Sequence, residues 1–175
     1  MTTEELRTYI RDIPDFPKPG IIFKDITPLL AHAGALRAAV DAICAPYQGK
    51  VDAVLGIESR GFVFGALVAY HLGTGLVIAR KPGKLPFHTI AESYELEYGT
   101  GTLEIHADGI ARGKRVLIVD DLLATGGTAA AAAKLAARLD AHVVGCAFLI
   151  ELAFLNGRAR LAPVECFSVI RYDGG

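Results

Sequence analysis

VLIVDDLLATGGT, Val116 to Thr128, opens as an apolar run, turns acidic at Asp120 and Asp121, and ends in a glycine- and hydroxyl-bearing loop. An alanine-rich helix is predicted directly after it, over Thr128 to Leu139. An apolar run without alternation marks a strand buried on both faces, and a strand that feeds a helix is half of a βαβ unit. In open α/β sheets, ligands settle beyond the carboxyl ends of the strands, and this loop is such an end. Two glycines let the backbone approach an anion closely, the hydroxyls of Thr125 and Thr128 add donors, and the helix N-terminus offers N–H groups and a favourable dipole. That chemistry suits one phosphate. Asp120 and Asp121 would repel it, but carboxylates accept hydrogen bonds from sugar hydroxyls, so the pair of features describes a ribose 5-phosphate. No GxxxxGK[ST] pattern is present, which excludes a Walker loop.

The same rhythm extends outward. VDAVLGI (51 to 57), GLVIAR (75 to 80), RVLIVDD (115 to 121), HVVGCAFLI (142 to 150) and ECFSVIR (165 to 171) predict strands. Helices are predicted over Pro28 to about Ala45, Gly61 to Leu72 and Thr128 to Leu139, with a helical turn near Leu155 to Leu161. The expected class is α/β: a mostly parallel, twisted sheet with helices on both faces, in one domain over 1–175. Thr2 and Glu5 have capping-box spacing for a helix through about Arg11; Pro14, Pro17, Pro19 and Gly20 then exclude regular structure, which makes 1–28 an expected N-terminal hood. Between Lys81 and Ala107 the rhythm breaks into loop chemistry followed by two short alternating stretches, SYELEY and TLEIH. An interruption of this length in a compact sheet is expected to be a flexible lid, 81–107.

Composition narrows the function classes. Against 19 Asp+Glu stand 18 Lys+Arg, a formal charge of −1, with 52% hydrophobic and 21% charged residues. Neither a disordered chain nor a dedicated nucleic-acid binder has this balance. Cys44, Cys146 and Cys166 are odd in number and set in apolar contexts, the pattern of buried reduced thiols in a cytoplasmic protein. The opening residues are polar and acidic, unlike a signal or transit peptide, and the longest apolar run is about half of the ~20 residues a membrane span needs. The five histidines show no metal spacing.

Paired acids followed by ATGGT resemble the phosphoribosyl-pyrophosphate loop of the type I phosphoribosyltransferases. FPKPGIIFKDITPLL (16 to 30), GIESRGFVFG (56 to 65), RKPGKLP (80 to 86) and YELEYG (94 to 99) are similar, in this order and spacing, to the adenine-specific members of that family. The likeness runs from about Asp12 to Arg171, and Pro82 and Phe87 depart from the family pattern. It implies a purine-salvage reaction: adenine plus phosphoribosyl pyrophosphate gives AMP plus pyrophosphate, in a homodimer, with Mg²⁺ carried by the substrate and no certain protein ligand.

The resemblance also implies roles. Asp120, Asp121, Ala124, Thr125, Gly126, Gly127 and Thr128 bind the phosphoribosyl group. Ser59 and Arg60, in a turn where the family often has a non-proline cis peptide, hold the pyrophosphate. The residues alone agree that a second strand-end turn with a guanidinium is an anion site. Arg80, Lys81 and Lys84 are implied to reach the pyrophosphate from the lid, partly from the neighbouring subunit. The segment 16 to 24, rich in proline and glycine, leaves backbone groups that neither helix nor sheet is expected to satisfy. By resemblance the Ile22 carbonyl and the Lys24 amide read adenine, with Phe23 and Leu122 flanking the ring. Arg60 and Glu97 carry the chemistry, Glu97 by handling the N7 proton. Two other functions fit the same loop: a phosphoribosyltransferase for another purine base, or a non-catalytic phosphoribosyl-pyrophosphate sensor. A sensor of nucleic acid would bring a helix-turn-helix or a basic face, and the sequence has neither.

Overall fold

The computed structural model describes residues 1–96 and 99–174. Its first helix, α1 (Thr3–Arg7), is closed by both halves of the capping box: the Glu5 amide donates to the Thr2 hydroxyl at 3.2 Å and the Thr2 amide to the Glu5 carboxylate at 2.7 Å. The helix stops four residues short of the expected Arg11, because Arg11–Ile13 is a strand, β1. It pairs antiparallel with β2 (Phe23–Asp25), Asp12 opposite Lys24. Residues 14–20 carry neither helix nor strand, as the prolines and Gly20 require, but Phe23 and Lys24, whose backbone was expected to find no partner in helix or sheet, lie in a strand. Between the strands the loop closes on itself, the Gly20 amide donating to Asp15 at 2.7 Å and the Phe16 amide to the Ile21 carbonyl at 3.2 Å.

The single helix expected from Pro28 to Ala45 is two, α2 (Thr27–Ala31) and α3 (Ala33–Cys44). His32 divides them: its backbone is extended, and its imidazole Nδ1 accepts the Ala35 amide at 3.1 Å, capping α3. From there the chain follows the predicted alternation: β3 (Ala53–Ile57), α4 (Gly61–Leu72) and β4 (Gly75–Ala79), then the hairpin β5 (Thr89–Glu95) and β6 (Thr100–His106). The last third is β7 (Arg115–Leu123), α5 (Gly127–Arg138), β8 (His142–Leu152), α6 (Gly157–Leu161) and β9 (Cys166–Tyr172).

Five strands form one sheet in the order β4-β3-β7-β8-β9, every pairing parallel. Alternate residues of β7 feed two separate cores. Leu117 and Val119 pack with α3 and α4, whereas Val116 and Ile118 pack with α5 and with Leu103 and Ile105 of the hairpin. Burial on both faces is what the unbroken apolar run demanded. The hairpin meets the main sheet through a bridge in which the Arg80 amide donates to Glu104 at 2.9 Å and the Glu104 amide to Arg80 at 2.7 Å. Among the described residues no helix is long and apolar enough to cross a membrane. Function is positioned by one topological fact. The chain leaves β3 toward β4 and returns on the other side with β7, so the strand order reverses between β3 and β7, and the carboxyl ends of these neighbours flank the crevice where such sheets bind ligands.

Candidate active site

Both motif loops rise from that crevice. Glu58, Ser59 and Arg60 join β3 to α4, with a cis peptide between Glu58 and Ser59. Residues 124–126 join β7 to α5. The start of α4 packs on the end of β7: a Cβ on Gly61, the first residue of α4, would lie 2.6 Å from the Asp120 carboxylate.

The paired acids are crowded rather than solvated. Asp120 accepts the Asp121 amide at 2.8 Å, and Asp121, 4% exposed, lies 2.9 Å from Arg60 Nε as an ion pair whose N–H is not aligned for a hydrogen bond. Asp120 keeps some solvent contact, yet burial pushes its carboxyl well above the usual aspartate range, and the neighbouring Asp121 charge adds to the rise. Burial raises Asp121 too, against the opposing pull of Arg60. Hydroxyl donors or a cation arriving here would relieve both.

Past the acids, Gly126 takes φ +82° and heads α5 without any side-chain cap, leaving the first helical N–H groups available to a ligand. They border a cavity of about 80 Å³ lined by Asp120, Leu122, Thr125, Thr128 and Phe148. A larger groove, about 450 Å³, runs between the hairpin and α5, but it lacks the acids and the hydroxyl-bearing loop. From beneath, the loop rests on α6. A Cβ on Gly126 would meet the Gly157 carbonyl at 2.5 Å, and one on Gly157 would collide with the Ala124 carbonyl.

Sequence reasoning missed what holds α6. Arg158 forks onto Glu151, Nε to Oε1 at 2.7 Å and Nη2 to Oε2 at 2.6 Å, and donates to the Cys166 carbonyl at 2.5 Å; the Ser168 hydroxyl completes the set on Glu151 at 2.5 Å. Glu151 is 3% exposed, and the Arg158 hydrogen bonds hold its carboxyl below the usual glutamate range despite burial. A strand-end glutamate seven residues before an arginine was the only hint, and such spacing has no specificity.

The basic residues divide. Arg80 is not on the hairpin: it ends the β4 edge of the sheet and pairs with Glu58, Nε to Oε2 at 3.3 Å and Nη2 to Oε1 at 3.2 Å. Those bonds, with the Lys81 amide at 2.8 Å, hold Glu58 below the usual range. Arg60 therefore pairs with Asp121 and Arg80 with Glu58. Lys81 and Lys84 are exposed.

On the other side of Arg60 lies the segment expected to read a base. The guanidinium sits 4.7 Å over the Phe23 ring and donates to the Lys24 carbonyl at 3.4 Å, so one side chain bridges Asp121 and β2. Ile22 is exposed just ahead of the strand, and Leu122 is half-buried at the end of β7, beside the small cavity. The structure brings together Phe23, Lys24, Arg60 and Asp121, and separately Asp120 with the loop. Glu97 lies outside the described residues.

Known proteins share this fold. The phosphoribosyl transferase domain family matches residues 24–173. An adenine phosphoribosyltransferase of Syntrophotalea carbinolica is 56% identical over 170 residues, covering 97% of this chain and 99% of its own. The crystal structure of the Thermoanaerobacter pseudethanolicus adenine phosphoribosyltransferase superposes with a TM-score of 0.95 at 52% identity, covering 98% and 100% of the two chains. That of Saccharomyces cerevisiae, complexed with D-2,5-dideoxy-2,5-imino-altritol 1,6-bisphosphate and adenine, gives 0.91 at 39% identity over 96% and 98%. The chain belongs to the phosphoribosyl transferase family and, within it, to the adenine phosphoribosyltransferases.

Proposed function

We propose that this chain transfers the 5-phosphoribosyl group of phosphoribosyl pyrophosphate to adenine, giving AMP and pyrophosphate, with the strand-end loops holding the donor and residues 22–24 the base. The observation that carries the assignment of residues is the bridge made by Arg60, which touches the acid pair and the base segment at once. The 5-phosphate takes the N–H groups at the start of α5 with the hydroxyls of Thr125 and Thr128. Ribose hydroxyls donate to Asp120 and Asp121. Ser59, Arg60, Lys81 and Lys84 face the pyrophosphate, and Arg80 stands beside them on Glu58. Negative charge grows on the pyrophosphate as its bond to the ribose carbon opens, and a guanidinium already in place stabilises it without reorganising. Adenine N9 attacks the opposite face while Glu97 handles the proton at N7.

Magnesium fits as an ion brought by the substrate. Among the described residues no group of three or more His, Cys, Asp and Glu could hold a metal, while Asp120, raised by burial and by the neighbouring Asp121 charge, would attract a cation carried on the donor. Bound on the donor's oxygens, Mg²⁺ would neutralise the leaving pyrophosphate. The segment 81–107, fixed in the core through Leu103 and Ile105 and therefore not flexible along its whole length, serves as a lid that keeps water from the activated donor, and 1–28 as a hood over the base. Tyr70, 88% exposed, lies with exposed Val63 and Leu76 on α4 and β4, an apolar surface suited to a second copy of the chain. Three free cysteines suit a reducing, cytoplasmic setting.

A panel of purine bases, assayed for phosphoribosyl-pyrophosphate-dependent nucleotide formation, tests the reading. The Ile22 carbonyl accepts from the adenine amino group and the Lys24 amide donates to N1. Hypoxanthine presents a carbonyl to the first and an N–H to the second; at about 1–3 kcal/mol for each mismatch, adenine is expected to win by on the order of a hundredfold. Comparable rates with hypoxanthine would remove the base assignment. Donor binding without pyrophosphate release on any base would make the protein a sensor.

A further inference from the structure

The ribbon β1–β2 stands apart from the five-stranded sheet, and an isolated two-stranded pair is marginal in water. Side chains must hold it where a base can be read. Strand alternation sends the Phe23 ring to Arg60 and the Lys24 side chain to the opposite face. There the Lys24 ammonium, 6% exposed, bonds Asp12 at 2.7 Å and sits 4.1 Å from the centre of the Tyr172 ring, the last residue of β9. The same ring takes the Arg7 guanidinium at 4.9 Å, and Arg7 also donates to the Arg171 carbonyl at 2.8 Å. Burying an ammonium is costly unless it is paired, so this contact is a built anchor and not a side chain lying on a surface. The pyrophosphate and phosphate loops make no part of it.

We propose that Tyr172 is a positioning residue for base recognition: by holding the Lys24 ammonium from the face opposite Arg60, it sets the backbone of residues 22–24 against the purine edge. The inference rests on the reading that this segment receives the base. It assigns the C-terminal strand of the main sheet a part in choosing the acceptor, a part that acts through Lys24 and touches neither substrate.

Steady-state kinetics of the full-length protein test it with Tyr172→Leu, Tyr172→Phe and Asp12→Asn, varying each substrate in turn. Tyr172→Leu removes the ring and keeps apolar bulk; it is expected to raise KM for adenine by about tenfold and to narrow the preference for adenine over hypoxanthine, with KM for phosphoribosyl pyrophosphate within twofold of the parent. Tyr172→Phe keeps the ring face and is expected to restore parental values, while Asp12→Asn shifts adenine KM in the same direction by less. Loss of the Lys24 contact would also make Tyr172→Leu and Lys24→Met non-additive, the double variant no worse than the worse single one. If Tyr172→Leu folds and lowers kcat with both KM values unchanged, or raises both equally, Tyr172 is merely structural and the proposal falls. Should Tyr172→Leu fail to fold, Tyr172→Phe with altered adenine KM, or Asp12→Asn with parental adenine KM, overturns it. Parental enzyme that does not discriminate against hypoxanthine sinks the base-segment reading itself, a result separable from any of these.

Discussion

The two ends of the site are built differently. The phosphate end grows from β7 and α5, in the middle of the sheet, where backbone closes in: Gly157 lies beneath the loop, and Gly61 of α4 packs on the end of β7. Little there can move without moving the core. The base end is three residues of a ribbon outside the sheet, held by Arg60 on one face and by Lys24 on Tyr172 on the other. A donor carrying several negative charges needs donors fixed before it arrives, and a central helix terminus supplies them. Discrimination among purines needs only a few backbone groups at the right offset, which a thin segment can offer if its side chains are tethered. Damage at the first end should therefore appear in donor binding and in folding, and damage at the second in adenine KM and base choice.

The largest expected effect strikes the chemistry between the ends. Glu97→Gln is expected to lower kcat by about 10²–10⁴ with little change in KM for phosphoribosyl pyrophosphate, the scale of general acid–base assistance. Glu95→Gln, two residues earlier, is the control and should do much less; the reverse outcome would move the proton-handling role by one pleat. Next comes Gly126→Ala. A side chain at φ +82°, 2.5 Å from the Gly157 carbonyl, combines a left-handed penalty of about 1–2 kcal/mol with overpacking of about 1–3 kcal/mol. Melting temperature and donor affinity should both fall, and parental donor binding would show that the phosphate end is more pliable than its contacts suggest.

Asp120→Asn should separate stability from function. Burial raises the Asp120 pKa, so the folded protein holds that proton more tightly than the unfolded chain, and the charged acid costs stability as pH climbs from the usual aspartate range through the raised value. At neutral pH, Asp120→Asn is expected to melt higher than the parent in the absence of ligand while losing donor affinity. The stability gain should shrink as pH falls into the usual aspartate range and vanish below about pH 3, where the acid is protonated in both states. A lower melting temperature at neutral pH would contradict the assigned strain. Smallest is Arg158→Lys, which keeps the charge but loses the fork on Glu151. KM for the donor should rise severalfold through α6 and Gly157, leaving adenine KM unchanged; a shift confined to adenine would break the division between the two ends.

How far the sequence was legible follows the same division. Gly61–Leu72 reads as a helix to the residue, because an apolar run between a strand-end turn and Gly73 leaves no other choice, and the strand-to-helix step into α5 is placed to within one residue. Local pattern and tertiary environment agree there. The ribbon was invisible: strands of three residues, separated by prolines, carry no period, and Arg11 reads as the end of the first helix until Phe23–Asp25 is seen beside it. His32 looked like any helix residue because capping by imidazole depends on a rotamer. Ion pairing was the hardest to read. Glu58 and Arg60 are neighbours in sequence, yet each carboxylate is matched by a guanidinium from a different strand or turn, and only the fold decides the exchange. For Lys24, the chain pattern located the residue, but that its backbone and its ammonium face different neighbours is a property of the pleat.

The bare backbone contacts beneath the phosphate loop have a consequence for how this protein can drift. Glycine is already the smallest residue, so at positions 61, 126 and 157 every mutation adds atoms to a space that is full. Error at that end can only crowd. At Tyr172, Lys24 and Arg60 nearly every mutation subtracts, which loosens the tether on residues 22–24 and lets the backbone that faces the purine shift. Random change thus meets a wall on one side of the site and a slope on the other, and over many generations acceptor preference has room to wander while the grip on the phosphoribosyl donor does not.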